Sequence, residues 1–541
     1  MNFPKVEQQR NASRNCRIMV IGGFLTALYL IVGVKAFYLQ VIADDMLSAR
    51  ASGQYRQSME CRGKRGAIFD ASHRELAIST SVVEVGAHPK ELIAKNADTA
   101  PDKRELARKV SQILNQDEGV IYRKLCENKN FVWIDRKVTP ERATALKSLG
   151  FAGFEYFPSF LRVYPCKSLA AQLIGFVGID GNGLDGLEQH YDNELQGTPQ
   201  EWTIIKDRMG RIFDRQETCC MPGYEGKNLV LTIDSTIQYI AETALARSVE
   251  ENNAKSGIAI VMAPATGAVK AMAHYPTFNP NAFTRFPKET WRNRAVTDTF
   301  EPGSVLKVFL MAAALESGVC DPETLINCEN GAYRIGRNTV NDTHDYDFLT
   351  VHDVLKYSSN IGAVKIAEMM GPEVLYETLL NFGFGETTGI NCPGEVRGLM
   401  RHYQGWKPID YATISFGQGL TVTPIQLIAA ISAVANQGVL MSPYVVQAIT
   451  DENGNIIKSF PPVRKRSVIM PEIADVLMTM MNAVTEADGT VAWPYRPDIR
   501  YAEKPALRRK LIRTALIGIV NITGCLLGFH RRGTRSWWYW W

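Results

Sequence analysis

Pro302-Gly303-Ser304-Val305-Leu306-Lys307-Val308-Phe309-Leu310 is the stretch on which the fold turns. Apolar side chains at Val305, Leu306, Phe309, Leu310 and Ala313 recur at helical spacing behind a Pro-Gly pair. That spacing predicts a helix over Val305 to Ser317 with Ser304 at its start. Lys307 then falls one turn further on, on the same face. A helix start favours negative charge developing at Ser304. An amine held in a dry site gives up its proton readily and can act as base toward the hydroxyl. Ser304-x-x-Lys307 is the only S-x-x-K of the chain. Most such pairs elsewhere are a capping serine and a solvated lysine, so the surroundings must decide.

Ser358-Ser359-Asn360 follows 54 residues on. Its letters alone carry little, since Ser13-Arg14-Asn15 has the same form. Helical stretches are predicted over Val351 to Met370 and Pro424 to Ala435. Upstream, Leu229 to Ile233 read as a strand, and Asp234 or Ser235 caps an amphipathic helix ending near Val249. Ile258 to Met262 and Ala268 to Ala273 form a hairpin across Pro264-Ala265-Thr266-Gly267. Strands followed by a block of helices predict an α+β domain from 228 to 490 that returns to its sheet. The preceding region, 56–226, mixes short strand-like runs with polar helices (Pro101 to Gln116, Pro140 to Leu149) and shows no catalytic constellation. Two of its segments stand out, Arg65-Gly66-Ala67-Ile68-Phe69-Asp70 and Arg162-Val163-Tyr164-Pro165 through Gly183-Leu184-Asp185-Gly186-Leu187-Glu188.

With 541 residues, 46% apolar and 21% charged, the chain is a packed multidomain protein rather than a disordered, collagenous or coiled-coil one. Residues 18–42 carry one charge, Lys35, and are otherwise apolar but for Thr26 and Gln40, long enough for the roughly 20 residues that cross a bilayer. Lys5, Arg10, Arg14 and Arg17 precede them against Glu7, which places residues 1–17 in the cytoplasm and the bulk outside. A cleaved signal peptide is the rival, but the run exceeds the usual apolar core and lacks a small-x-small cleavage site. Residues 491–541 hold ten Lys/Arg against two Asp/Glu, so the first 490 carry −4 of the overall +4. Net charge therefore gives no support to nucleic-acid binding. The ten cysteines form no CxxC and the eight histidines no HExxH, so neither a metal nor a cofactor is implied. In an exported body Cys320 and Cys328 are near enough in sequence that pairing is open to them, but connectivity is not legible in the letters and free buried thiols are the expected state for most of the cysteines.

Taken together these segments resemble the penicillin-binding proteins, whose S-x-x-K and S-x-N precede a K-T-G. The likeness also rests on Asn293-Arg294-Ala295, Phe382-Gly383-Phe384-Gly385 with Thr388-Gly389, and Ser415-Phe416-Gly417-Gln418-Gly419 with Thr423-Pro424. It covers nearly all of 18–490 and points to class B, with Glu301 before Pro302 favouring the cell-division type. His73 departs from the family, which usually has Gly there. The resemblance implies one membrane helix, an α+β pedestal or dimerisation domain, and an α+β transpeptidase domain with an antiparallel sheet and helices. It implies a D,D-transpeptidase of the bacterial inner membrane that cross-links peptidoglycan stems on nascent glycan strands during septation and is acylated by β-lactams. Ser304 would be the nucleophile and Lys307 its activator, as sole base or not. Ser358 would relay protons and Asn360 would hold the substrate amide, with Gly303, Ser359 and Gly417 lining the substrate. Partners would be divisome membrane proteins, including a septal glycosyltransferase. A non-catalytic, membrane-anchored divisome scaffold is the alternative from another class.

The K-T-G itself is absent after Ser358. Lys255-Ser256-Gly257 fits the letters but lies upstream of the nucleophile. Codons for Ala502 to Lys510, read from the third base, can spell Gly-Lys-Thr-Gly-Thr-Ala-Gln-Lys. The same shift turns Trp537 to Trp541 into Leu-Val-Val-Leu-Val. A reading-frame slip between about Ala487 and Trp493 is therefore expected to have replaced the end of the sheet. In that case Lys504 is not the motif lysine, and one strand edge stays open.

Overall fold

The computed structural model describes residues 4–42, 56–61, 63–90, 92–94, 102–198, 200–206, 212–215, 225–484 and 516–520. Helix α1 (Pro4–Phe37) runs on through a π turn at Tyr38–Ile42. Its Met19–Ile42 portion is apolar and fully exposed. At 1.5 Å per residue these 24 residues span about 36 Å, enough for a hydrocarbon core of about 30 Å. Among the described residues it is the one helix long and apolar enough to cross a membrane.

The pedestal is built on β1 (Arg56–Cys61), β2 (Ile68–Phe69), β3 (Glu75–Ala87), α2 (Lys103–Leu114), α3 (Glu118–Cys126), β4 (Val132–Val138), α4 (Pro140–Ser148), β5 (Phe154–Val163) and β6 (Gln200–Lys206). Helix α2 buries Leu106, Ala107, Val110 and Leu114 on one stripe and is capped by Asp102, as the amphipathic period requires. A small separate core forms where that stripe meets Ile121, Leu125, Ile134 and Val85.

The second part contains β7 (Asn228–Leu231), α5 (Ser235–Glu251), β8 (Gly257–Met262), β9 (Val269–Tyr275), α6 (Leu306–Glu316), the hairpin β10 (Ala332–Ile335) and β11 (Asn338–Asn341), α7 (Val351–Lys356), α8 (Asn360–Met370), α9 (Pro424–Ala435), β12 (Val446–Thr450), β13 (Ile456–Ser459), α10 (Pro471–Ala483) and β14 (Leu516–Val520). Ten successive residues of α6 from Leu306, and all twelve of α9, are buried. Helices apolar all round belong at the centre of a fold, and the main core packs around these two.

Two sheets organise the chain. One has the order β13-β12-β7-β2-β3-β4, with β5 also paired to β3. Strand β7 runs parallel to β2 and antiparallel to β12, so strands from both sides of residue 227 share one hydrogen-bonded surface. The other is β9-β8-β14, with the predicted hairpin β8–β9 in register from Gly257↔Tyr275 to Met262↔Val269. One unspecified strand edge is expected to stay open; one edge of β8 carries Leu516–Val520, antiparallel and in register Ile258↔Val520 to Met262↔Leu516. A strand edge asks its partner only for backbone groups, so a β-prone run such as Leu-Ile-Gly-Ile-Val satisfies it. The rest of 485–541, Lys504 and the frame-slip interval included, lies outside the described residues.

One expectation is corrected. Val351 to Met370 is not one helix, because Ser358 adopts φ +58° and the chain restarts at α8, with Ser359 as cap. For Cys320 and Cys328 the open alternative of a disulfide falls away, and both are free buried thiols, the state expected for most of the cysteines. The glycine expected in place of His73 gains a reason, since φ there is +59° and the N–H closes a turn onto the Asp70 carbonyl. A left-handed residue with a Cβ costs roughly 1–2 kcal/mol. His73→Gly is expected to stabilise the pedestal by about 1 kcal/mol, read as a higher urea midpoint at unchanged slope.

Candidate active site

Ser304 lies on a 3-10 turn, Gly303–Val305, that runs straight into α6. The turn is held from behind. Gly303 N–H donates to the Gly417 carbonyl at 2.9 Å, and Phe300 and Val422 exchange backbone bonds at 3.0 and 2.9 Å. Glu301 Oε1 accepts from Gly419 N–H at 2.9 Å. A Cβ on Gly417, which has φ +86°, would sit 1.9 Å from the Gly303 carbonyl oxygen. Only glycine permits that approach. Gly303 and Gly417, expected to line the substrate, thus meet each other and fix the turn that presents Ser304.

Lys307, one turn into the helix, has no exposed surface. Its Nζ donates to the Ser358 carbonyl at 2.6 Å, Ser358 Oγ at 3.1 Å and Asn360 Oδ1 at 2.8 Å. Burial pushes the ammonium down to about 7, against a smaller upward pull from Asp342. An amine in that range holds both protonation states at neutral pH, as a proton-transfer group needs. The structure therefore brings Lys307, Ser358 and Asn360 together, with Ser304 one helical turn before Lys307. The left-handed Ser358 makes this possible by turning its carbonyl and hydroxyl back toward α6, while α8 carries Asn360 at its first position.

Ser359 is placed differently from the expectation. It is 2% exposed, and its Oγ donates to Asp342 Oδ2 at 2.5 Å while accepting from Gly362 N–H at 2.8 Å. Its hydroxyl is spent inside the fold. Asp342 is the residue that sequence reasoning missed. It stands 17 residues before Ser359, inside an unremarkable Asn341-Asp342-Thr343, and no spacing rule ties it to the motif. Lys255-Ser256-Gly257 leads into β8, with Ser256 buried and receiving a bond from Arg294 at 3.3 Å. Among the described residues no His, Cys, Asp and Glu group is arranged to hold a metal.

Where the pedestal adjoins the second part of the chain, marked by the bonds between Tyr164 and Asn281, Glu188 is fully buried. It accepts from Arg65 Nε at 2.6 Å, Arg162 Nε at 2.7 Å and Tyr164 Oη at 3.1 Å. Arg65 also reaches Asp192 at 2.6 Å, which balances two guanidiniums with two carboxylates. Arg162 Nη1 donates to the Gly66 carbonyl at 2.6 Å. These bonds unite the two sequence segments of the pedestal that had no assigned chemistry.

Comparison with known proteins matches residues 61–231 to the penicillin-binding protein dimerisation domain and residues 257–504 to the penicillin-binding protein transpeptidase domain. The second match runs past residue 490, where the motif likeness ends. The chain is 32% identical over 492 residues to the probable peptidoglycan D,D-transpeptidase PenA of Neisseria gonorrhoeae, covering 90% of this chain and 81% of that one. It is 34% identical over 476 residues to the peptidoglycan D,D-transpeptidase FtsI of Escherichia coli, covering 87% and 77%. Penicillin-binding protein 2X of Streptococcus thermophilus has the same fold, with a TM-score of 0.69 at 23% identity, over 83% of this chain and 70% of that one. A peptidoglycan synthetase of Bifidobacterium adolescentis superposes with a TM-score of 0.61 at 26% identity, over 80% and 82%. With a buried lysine one helical turn after a serine, a dimerisation domain ahead of a transpeptidase domain, and relatives alike over most of their length, the chain belongs to the penicillin-binding proteins of the peptidoglycan D,D-transpeptidase family.

Proposed function

We propose that this chain descends from, and in correct frame acts as, a septal peptidoglycan D,D-transpeptidase. The observation that carries this is Lys307 Nζ, buried and bonded to Ser358 and Asn360 one turn from Ser304. Ser304 Oγ attacks the carbonyl of the penultimate D-Ala, and its proton passes to the neutral Lys307 amine, directly or through Ser358 Oγ, and from there to the leaving amine. The peptide C–N bond breaks and the terminal D-Ala leaves with the proton on its amine. A neighbouring stem's amine then attacks the ester, restoring the Ser304 hydroxyl. Asn360 orients the stem amide. Residues 1–17 lie in the cytoplasm and the body lies in the periplasm, where the pedestal meets divisome partners, a septal glycosyltransferase among them.

The tail after about residue 490 is out of frame in this reading, and with it goes the strand that supplies one oxyanion N–H. One such donor is worth about 10²–10³ in rate. The test is intact-mass detection of a penicilloyl adduct after incubation with benzylpenicillin. The adduct should form on Ser304 of the frame-restored chain, form at least 10²-fold more slowly on the chain as written, and vanish in Ser304→Ala. A frame-restored protein that stays unlabelled at Ser304 overturns the reading and leaves the anchored scaffold in its place.

A further inference from the structure

Asp342 follows the last residue of β11, and its carboxylate is fully engaged. Oδ1 accepts from Asn360 N–H at 2.5 Å and Ile361 N–H at 3.0 Å, and Oδ2 accepts from Ser359 Oγ at 2.5 Å. These are the orphan donors of the first turn of α8 together with the hydroxyl of its cap, so the carboxylate decides where that helix begins. The preceding residue joins in, since the Asn341 carbonyl accepts from Asn360 Nδ2 at 3.2 Å. The hairpin is itself anchored by Asp342 N–H on the Gly331 carbonyl at 3.1 Å.

What this grip holds is the strained residue next door. Ser358 sits at φ +58°, a conformation that a residue with a Cβ keeps only when its surroundings over-determine it. That twist aims the Ser358 carbonyl and hydroxyl at Lys307 Nζ. The order of dependence runs from the hairpin acid to the cap of α8, then to the left-handed Ser358, and finally to the buried amine.

We propose that Asp342 is a positioning residue of the transpeptidase site, clamping the Ser358–Asn360 turn in the shape that receives Lys307 and setting a negative charge beside that amine. The inference rests on the reading of Ser304 as nucleophile and adds a residue that the motif set does not contain. The groups bonded to Lys307 Nζ are otherwise neutral, namely Ser358 Oγ, the Ser358 carbonyl and Asn360 Oδ1. Asp342 is the charged group that raises the proton affinity of Lys307, against the lowering by burial. Removing the charge while keeping the shape must therefore make Lys307 lose its proton at lower pH.

The two contributions separate by substitution. In Asp342→Asn, which keeps an acceptor for the two N–H groups, the acid limb of the penicillin-acylation profile of the frame-restored chain should move down by about one pH unit. In Asp342→Ala, the plateau should fall by at least 10-fold at every pH. A residue that merely supports the fold would lower the plateau and leave the limb in place. A second arm needs no acylation. The midpoint of Lys307, followed by 13C NMR of lysine-labelled Ser304→Ala protein and assigned with Lys307→Arg, should drop by the same unit when Asp342→Asn is added. If Ser304 proves unreactive, the functional reading fails while the NMR arm still decides this one. A limb and a midpoint both unmoved in a folded Asp342→Asn protein overturn the proposal.

Discussion

Lys307→Ala in the frame-restored protein is expected to cut the rate of Ser304 acylation by penicillin by about 10²–10⁴, the range that a positioned proton-transfer group contributes. The loss should fall on the acylation step, with folding intact. An ammonium stripped of water is costly to bury, so a Lys307→Met chain of similar length should melt no lower than the parent. Lys307→Arg should be as inactive as the alanine variant, because a guanidinium keeps its proton. The pH dependence has a definite sign. The neutral amine is the competent form, and burial holds the folded value at about 7. Acylation should therefore rise as pH passes upward through 7, and be nearly flat above 8. Stopped-flow acylation with a chromogenic cephalosporin, from pH 5.5 to 9, measures both the plateau and the midpoint. A lysine variant that acylates at the parent rate would remove Lys307 from the chemistry.

The second large effect concerns stability. Glu188 is fully buried with Arg65 and Arg162 on its two oxygens, and Glu188→Ala would strand two guanidiniums away from water with only Asp192 between them. Breaking a buried ion pair from one side costs about 3–5 kcal/mol. For a domain of this size that lowers the melting temperature by roughly 10 °C. Glu188→Gln keeps the shape and one acceptor, and should lie between parent and alanine variant. Differential scanning fluorimetry of the full chain in detergent reads the change. The network ties the β2 region to the Gly183–Glu188 turn, and Ile68 and Leu187 there belong to the main core, so the loss should reach both parts of the chain. A variant within 1 °C of the parent would show the pairs to be dispensable.

Much of this was legible in the residues. The periodicity after Ser304 located α6 to within a residue, and the two apolar runs around Pro264–Gly267 located the β8–β9 hairpin, because both patterns report burial directly. The break inside 351–370 was hidden. Nothing in the letters Tyr357-Ser358-Ser359-Asn360 demands a left-handed serine, and helix-compatible apolar residues flank it on both sides. Tertiary bonds from Asp342 and Lys307 override the local preference there. Asp342 was invisible for the related reason that two of its three partners are backbone N–H groups, which leave no trace in composition, and the third is a serine hydroxyl 17 residues away. The role of Ser359 was misassigned by adjacency to Ser358 and Asn360, although neighbouring residues at a helix start point in different directions. The strand at Leu516–Val520 lay beyond motif reasoning altogether, since an edge recruits by geometry.

The sheet that runs from β13 through β7 and β2 to β4 has a mechanical consequence. A parallel pair and an antiparallel pair bind β7 on its two sides, so flexing between the lower and upper halves would have to tear several backbone bonds at once. Force applied to the pedestal would therefore travel as torque along a stiff girder, swinging the Ser304 turn bodily rather than reshaping it.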